Sequence, residues 1–170
     1  MSVIANTTVV SNFASVQRLD LLPLLWQKLY ISTQVWSEIQ AGLQQGYSFY
    51  SGIEQFIYPF SKTGHIHLIA LHAEEEFRLF GQLSETLHSG EASSIAIAKH
   101  RQWTFLSDDK AARTQSKQLK VSVSGTVGLL IPLVKHNKLN VTEADDLLQK
   151  MIQHGYYSPI SSLSDYLQNH

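Results

Sequence analysis

The sequence contains no cysteine. That excludes disulfides and any thiolate metal site, so a metal would have to be held by carboxylate, amide or imidazole groups. The absence fits a reducing cytoplasm. Net charge is also missing. Thirteen basic residues are set against 14 acidic ones, a formal balance of -1, so no global basic field announces a nucleic-acid partner. No long hydrophobic run occurs. The most apolar stretch, near Val127 to Val134, is far too short to span a bilayer and contains Pro132, so no membrane partner is expected. The opening residues MSVIANTTVV have neither a basic segment nor a signal-type apolar core, so no export signal is expected. No Gly-rich phosphate loop is present to support a nucleotide-binding reading.

What is there suits an ordered globular chain. Of 170 residues, 44% are hydrophobic and 16% charged, which argues against disorder. The length suits a single domain over residues 1–170, with a core at about 3–140 and C-terminal helices over 142–170 packed on it.

Apolar runs and cap residues alternate along the chain. Val3 to Ala5, Leu29 to Ile31, His65 to Leu71, Trp103 to Leu106 and Val121 to Val123 read as strands. A helical stretch follows the first strand from Phe13 to Leu25, with Pro23 as its break into two short helices. Ser32 and Thr33 cap a helix from about Gln34 to Leu43. The aromatic-rich stretch Gln44 to Thr63 reads as a loop with a short helix, packed on the core or on a partner. Further helices run over Ala73 to Leu87, from Gly90-Glu91, from Asp108-Asp109 to about Leu119, and from Gly125-Thr126 through Leu133. Thr142 and Asp145 suggest a capping box for a helix ending at His154, with Gly155 as its stop. A last short helix is expected near Leu163 to Leu167. Strands alternating with helices predict an α/β fold, with a parallel sheet covered on both faces.

Open parallel sheets place ligands at the carboxyl ends of strands. The polar residues expected there are Asn6 and Thr8 after the first strand, Asp108 and Asp109, and Ser124 and Thr126. Glu91 opens a helix, and Glu38 lies one turn into another. Three or four gathered acids repel one another. At about 4 Å, two like charges cost on the order of 4 kcal/mol at an effective dielectric near 20. Such a gathering implies Mg²⁺ or Mn²⁺, which prefer oxygen ligands and support phosphodiester hydrolysis. Each acid also has an ordinary reading. Asp108 and Asp109 suit a helix cap, Glu91 a first-turn acid and Glu38 the boundary of an apolar stripe. Their combination at strand ends carries the functional reading. Lys110, Arg113 and Lys117 share one face of the helix after the Asp pair. Arg113 and Lys117 repel at i,i+4, so helix stability does not account for them, whereas a phosphate-facing surface does.

The segments VIANTTVVSNFASVQRLDLL, LYISTQVWSEI, HSGEASSIAIAKHRQWTFLSDDKAAR and VSVSGTVGLL resemble the PIN-domain superfamily. Within it they resemble the branch of nucleic-acid-binding PIN proteins related to VapC-type toxins. The resemblance runs from Val3 to about Leu167, and the combination of GE, SDDKAAR and SGTxGLL carries it. It implies a Rossmann-like parallel sheet of about four to five strands flanked by helices on both faces. It also implies a Mg²⁺- or Mn²⁺-dependent ribonuclease, the toxin half of a toxin–antitoxin pair, with a cognate antitoxin, a homodimeric state and a cytoplasmic location. In that pattern Glu38, Glu91 and either Asp109 or Asp108 are the second, third and fourth acids. Thr8 and Thr126 are supporting hydroxyls, and Lys110, Arg113 and Lys117 meet the RNA backbone. The first acid position holds Asn6. An amide oxygen can ligate a metal but brings no charge. Two readings therefore stand: a ribonuclease attenuated by Asn6, and a non-catalytic PIN-like module that binds RNA or a partner protein. A phosphatase or response-regulator reading fails, because both need a nucleophilic aspartate where Asn6 stands.

Overall fold

The computed structural model describes residues 1–26 and 28–170. Six strands, all paired in parallel, form one sheet. They are β1 (Val3–Ala5), β2 (Leu29–Ser32), β3 (Ile57–Tyr58), β4 (Ile66–Ile69), β5 (Thr104–Leu106) and β6 (Val123–Ser124). Their spatial order is β3-β4-β2-β1-β5-β6. The chain therefore builds outward from β1 on one side and then, with β5, on the other. Beside β1 and β5 the order reverses, which is where open α/β sheets form a crevice.

Eight α-helices occur among the described residues: α1 (Thr7–Ser15), α2 (Thr33–Gln44), α3 (Glu74–Leu83), α4 (Ser89–Arg101), α5 (Lys110–Gln118), α6 (Thr126–Lys135), α7 (Val141–Gln153) and α8 (Leu163–Gln168). The pleat decides which strand residues meet which helices, because successive side chains point to opposite faces. Val3, Ala5, Leu29, Ile31 and Leu106 join a core with Phe13, Ile39, Leu130 and Leu148. Ile4 and Phe105 point the other way, into a second core with Ile95, Ile97 and Ala112. Both faces are thus dry, which is why the strands read as continuous apolar runs.

Several boundaries differ from the sequence reading. The break after α1 falls at Gln17, not at Pro23. Gln17 is left-handed, with φ 57°, and Arg18 N donates to Phe13 O at 2.9 Å, closing the helix in a Schellman turn. Pro23 sits inside a 3₁₀ turn over Leu19–Leu24. The stretch from 44 to 63 holds two 3₁₀ turns and the two-residue edge strand β3, which raises the sheet to six strands. Helix α3 stops at Leu83, four residues early, and β6 starts two residues late. The capping box of α7 is Asn140 with Glu143, not Thr142 with Asp145. Glu143 N donates to Asn140 Oδ1 at 2.8 Å, and Asn140 N donates to Glu143 Oε2 at 2.9 Å. Asp145 instead accepts from Leu163 N at 2.6 Å, fastening α8 to α7.

Candidate functional site

The crevice is built by short connections. β1 ends at Ala5, and Asn6 at once caps α1, its Oδ1 accepting from Thr8 N at 3.1 Å. β5 ends at Leu106, and Asp109 caps α5, accepting from Ala112 N at 2.8 Å. β2 runs straight into α2 through the Ser32 cap, which sets Glu38 over the same end of the sheet. Helix α4 packs on α2, bringing the Ser89-Gly90-Glu91 turn alongside.

Asn6 is buried, and both ends of its amide are used. Oδ1 accepts from Thr8 Oγ1 at 2.6 Å as well as from Thr8 N, and Nδ2 donates to Ser107 Oγ at 2.8 Å. Ser107 Oγ also accepts from Asp109 N at 3.1 Å. Thr8 Oγ1 in turn accepts from Asp108 N at 3.0 Å.

The two aspartates face different partners. Asp108 Oδ1 accepts from Thr126 N at 2.8 Å and Tyr156 OH at 3.3 Å. Its Oδ2 accepts from Thr126 Oγ1 at 2.6 Å and Asn12 Nδ2 at 3.0 Å. Four donors from three parts of the chain converge on this carboxylate. Burial raises the Tyr156 hydroxyl pKa, and the neighbouring Asp108 charge adds to the rise. Asp109 faces Glu91 instead.

Glu38 Oε1 accepts from Gly90 N at 2.9 Å, and Oε2 accepts from the Thr7 hydroxyl. A Cβ on Gly90 would lie 2.5 Å from Glu38 Oε2, so any side chain there would push the Glu38 carboxylate aside. Glu91 is buried and accepts from His88 N at 3.3 Å. Burial first, and then the Asp109 and Glu38 charges, push the Glu91 pKa above its ordinary value. Glu91 thus lies within the field of Asp109 and Glu38, while Asp108 is engaged by hydroxyl and amide donors.

A shared field is not a coordination shell. Among the described residues no group of three or more His, Asp or Glu side chains converges closely enough to hold one ion. With Asn6 neutral and hydrogen-bonded at both ends, the site is not preassembled for Mg²⁺ or Mn²⁺; Glu38, Glu91 and Asp109 would have to draw together to hold such an ion.

Lys110 and Lys117 are exposed and Arg113 is half-buried, its Nη1 donating to Ser107 O at 2.8 Å. All three line a cleft of about 700 Å³ that opens beside Asp108. Sequence reasoning missed Thr7, Asn12, Ser107 and Tyr156. The one legible signal was Asn12, a poor helix former inside the apolar first helix.

An α/β domain with one buried and several half-buried acids at the turning point of a parallel sheet is the class of protein that fold and site define. A PIN-domain family model matches residues 2–170, and the chain belongs to that family. Among solved structures it is similar to VapBC2 from Rickettsia felis bound to a DNA fragment from their promoter. The identity there is 14%, the TM-score is 0.51, and the match covers 74% of this chain and 98% of that one. It is also similar to a PilT N-terminus domain protein from the hyperthermophilic archaeon Sulfolobus solfataricus P2. That match has 15% identity and a TM-score of 0.50, covering 78% of this chain and 92% of the other. These likenesses speak to the fold. No curated protein matches the sequence. No helix among the described residues is long and apolar enough to cross a membrane.

Proposed function

We propose that this PIN domain engages RNA at the carboxyl ends of its strands and is an attenuated ribonuclease. The observation behind this reading is Asn6. It occupies the first acid position, buried and neutral, at the strand ends that also carry Asp109 and the buried Glu91, whose pKa the Asp109 and Glu38 charges help to raise. The acids give the site its negative wall, and backbone amides fix their directions. Glu91 holds a proton more readily than a surface glutamate, which suits a proton-transfer role. The missing charge at Asn6 leaves a divalent ion less to bind than four acids would offer, so hydrolysis is weak.

The test is cleavage of single-stranded RNA by the purified protein across a Mn²⁺ titration. Slow, Mn²⁺-stimulated cleavage that Glu91→Gln abolishes is the expected result. Cleavage unchanged by Glu91→Gln overturns the assignment of roles.

The second reading, a non-cutting module held in a protein complex, draws on exposed aromatics. Tyr47, Tyr58 and Phe60 lie about half in water along the stretch expected to pack on the core or on a partner. The resemblance to VapC-type toxins supports an antitoxin-like partner and a homodimer, and the absence of cysteine suits a cytoplasmic setting. Light scattering of the pure chain, alone and with the product of an adjacent gene, separates the states.

A further inference from the structure

We infer that the cleft between α5, α6 and the C-terminal segment is a binding subsite for single-stranded RNA, with phosphates along α5 and a base stacked on Tyr157. The inference rests on RNA being the ligand of the neighbouring acidic site, but it does not require that the RNA be cut.

One wall is cationic. Lys110, Arg113 and Lys117 recur at i, i+3 and i+7, so they share a face of α5. Among the described residues none of them forms a salt bridge with a carboxylate. Lys110 to Lys117 spans about 10 Å of helix axis. The opposite wall is aromatic and apolar, with Tyr156, Tyr157, Pro159 and Ile160. Tyr157 is 96% exposed and, among the described residues, stacks on no other ring. A large ring held in water beside three cations lacking carboxylate partners is what a base and its phosphates would complete.

Gly125 and Gly128 line the cleft between the two walls. A Cβ on Gly125 would lie 2.5 Å from Asp108 Oδ1, so the floor runs up against that carboxylate. Tyr156 joins the aromatic wall to the same oxygen. A strand lying in the cleft would thus be led past Asp108 toward the crevice. A duplex hides its base faces and would leave Tyr157 unused, so the cleft selects single strands.

Fluorescence anisotropy of a labelled single-stranded RNA of about ten nucleotides tests this, with chelator present so that no cleavage occurs. Tyr157→Ala should weaken binding by about fivefold to 150-fold, while Tyr157→Phe should bind as the parent does, because stacking needs the ring and not the hydroxyl. Lys117→Ala should lower the slope of log affinity against log salt by about 0.7. Unchanged melting temperatures would show that these exposed changes leave the fold intact. Parent-like binding by Tyr157→Ala overturns the proposal. So does duplex RNA that binds as tightly, or poly-glutamate that competes as well as the oligonucleotide, which would mark a protein-facing or unselective anion site. Absence of cleavage with Tyr157-dependent binding refutes only the nuclease reading.

Discussion

The side-chain amide of Asn6 donates to Ser107 Oγ at 2.8 Å, tying the end of β1 to the end of β5. Ser107 already receives the Asp109 amide hydrogen, so it serves here as a double acceptor. An aspartate at position 6 would need Ser107 to turn its own hydroxyl hydrogen toward it, a rotation with little steric demand. Asn6→Asp should therefore fold. It adds a like charge near Glu91 and Asp109 and should lower stability without metal by about 1–4 kcal/mol. Thermal melts with and without Mn²⁺ check this: a lower melting point in chelator, recovered by Mn²⁺, is expected.

Asp108 and Asp109 should separate cleanly. Asp108 receives four donors that bind together α1, α6 and the segment after α7. Asp108→Asn turns an amide NH₂ toward some of them and should cost about 1–3 kcal/mol. Asp109→Asn keeps a competent helix cap and should cost only a few tenths of a kcal/mol. Denaturant melts of the two variants give the comparison.

Glu91 and Glu76 should pull the stability profile in opposite directions. The Glu91 pKa is raised by burial and by Asp109, so the fold favours its protonated form. That contribution is complete below the ordinary value of 4.5 and is lost as pH climbs through the raised pKa. Glu91→Gln keeps the acceptor for His88 N and should raise the melting temperature at neutral pH by a few degrees, with no gain below pH 4.5.

Burial alone would raise the Glu76 pKa too, but Arg101 and the His72 and Ala73 amides outweigh it and lower the pKa. Arg101 Nε lies 2.6 Å from Glu76 Oε1. The Glu76 contribution is present above pH 4.5 and fades as pH falls through the lowered pKa. Arg101→Ala leaves the buried carboxylate with only the His72 and Ala73 amides and should cost about 1–3 kcal/mol at neutral pH. Melts at stepped pH read both residues.

Gly90→Ala tests how Glu38 is held. The new methyl group would meet both Glu38 carboxylate oxygens, at 2.5 and 2.7 Å. Overpacking of this kind should cost about 1–3 kcal/mol. It should also remove whatever activity depends on Glu38, even though the acid itself is untouched.

Strand and helix order was readable because both faces of the sheet are buried and each apolar run is bounded by a cap residue. Ser32, Asp109 and Gly155 all mark real element ends. The two-residue β3 was hidden, because so short a strand has no period to detect and only its pairing with β4 defines it. Strand-end placement led to the expectation that Glu38, Glu91 and Asp109 gather; Asp109 and Glu38 do help to raise the Glu91 pKa, but among the described residues no three acids converge closely enough to hold one ion. What the sequence could not tell is where each carboxylate spends its oxygens. Asp108 and Asp109 are adjacent in the chain, yet one meets Thr126, Asn12 and Tyr156 while the other caps α5. That division depends on contacts 18 to 96 residues away in the chain.

The most direct measurement compares RNA cleavage by the natural chain and by Asn6→Asp under saturating Mn²⁺. The account predicts slow cleavage that rises at least tenfold when the missing carboxylate is restored, together with tighter Mn²⁺ binding by calorimetry. Equal rates and equal Mn²⁺ affinities in the two proteins would contradict it.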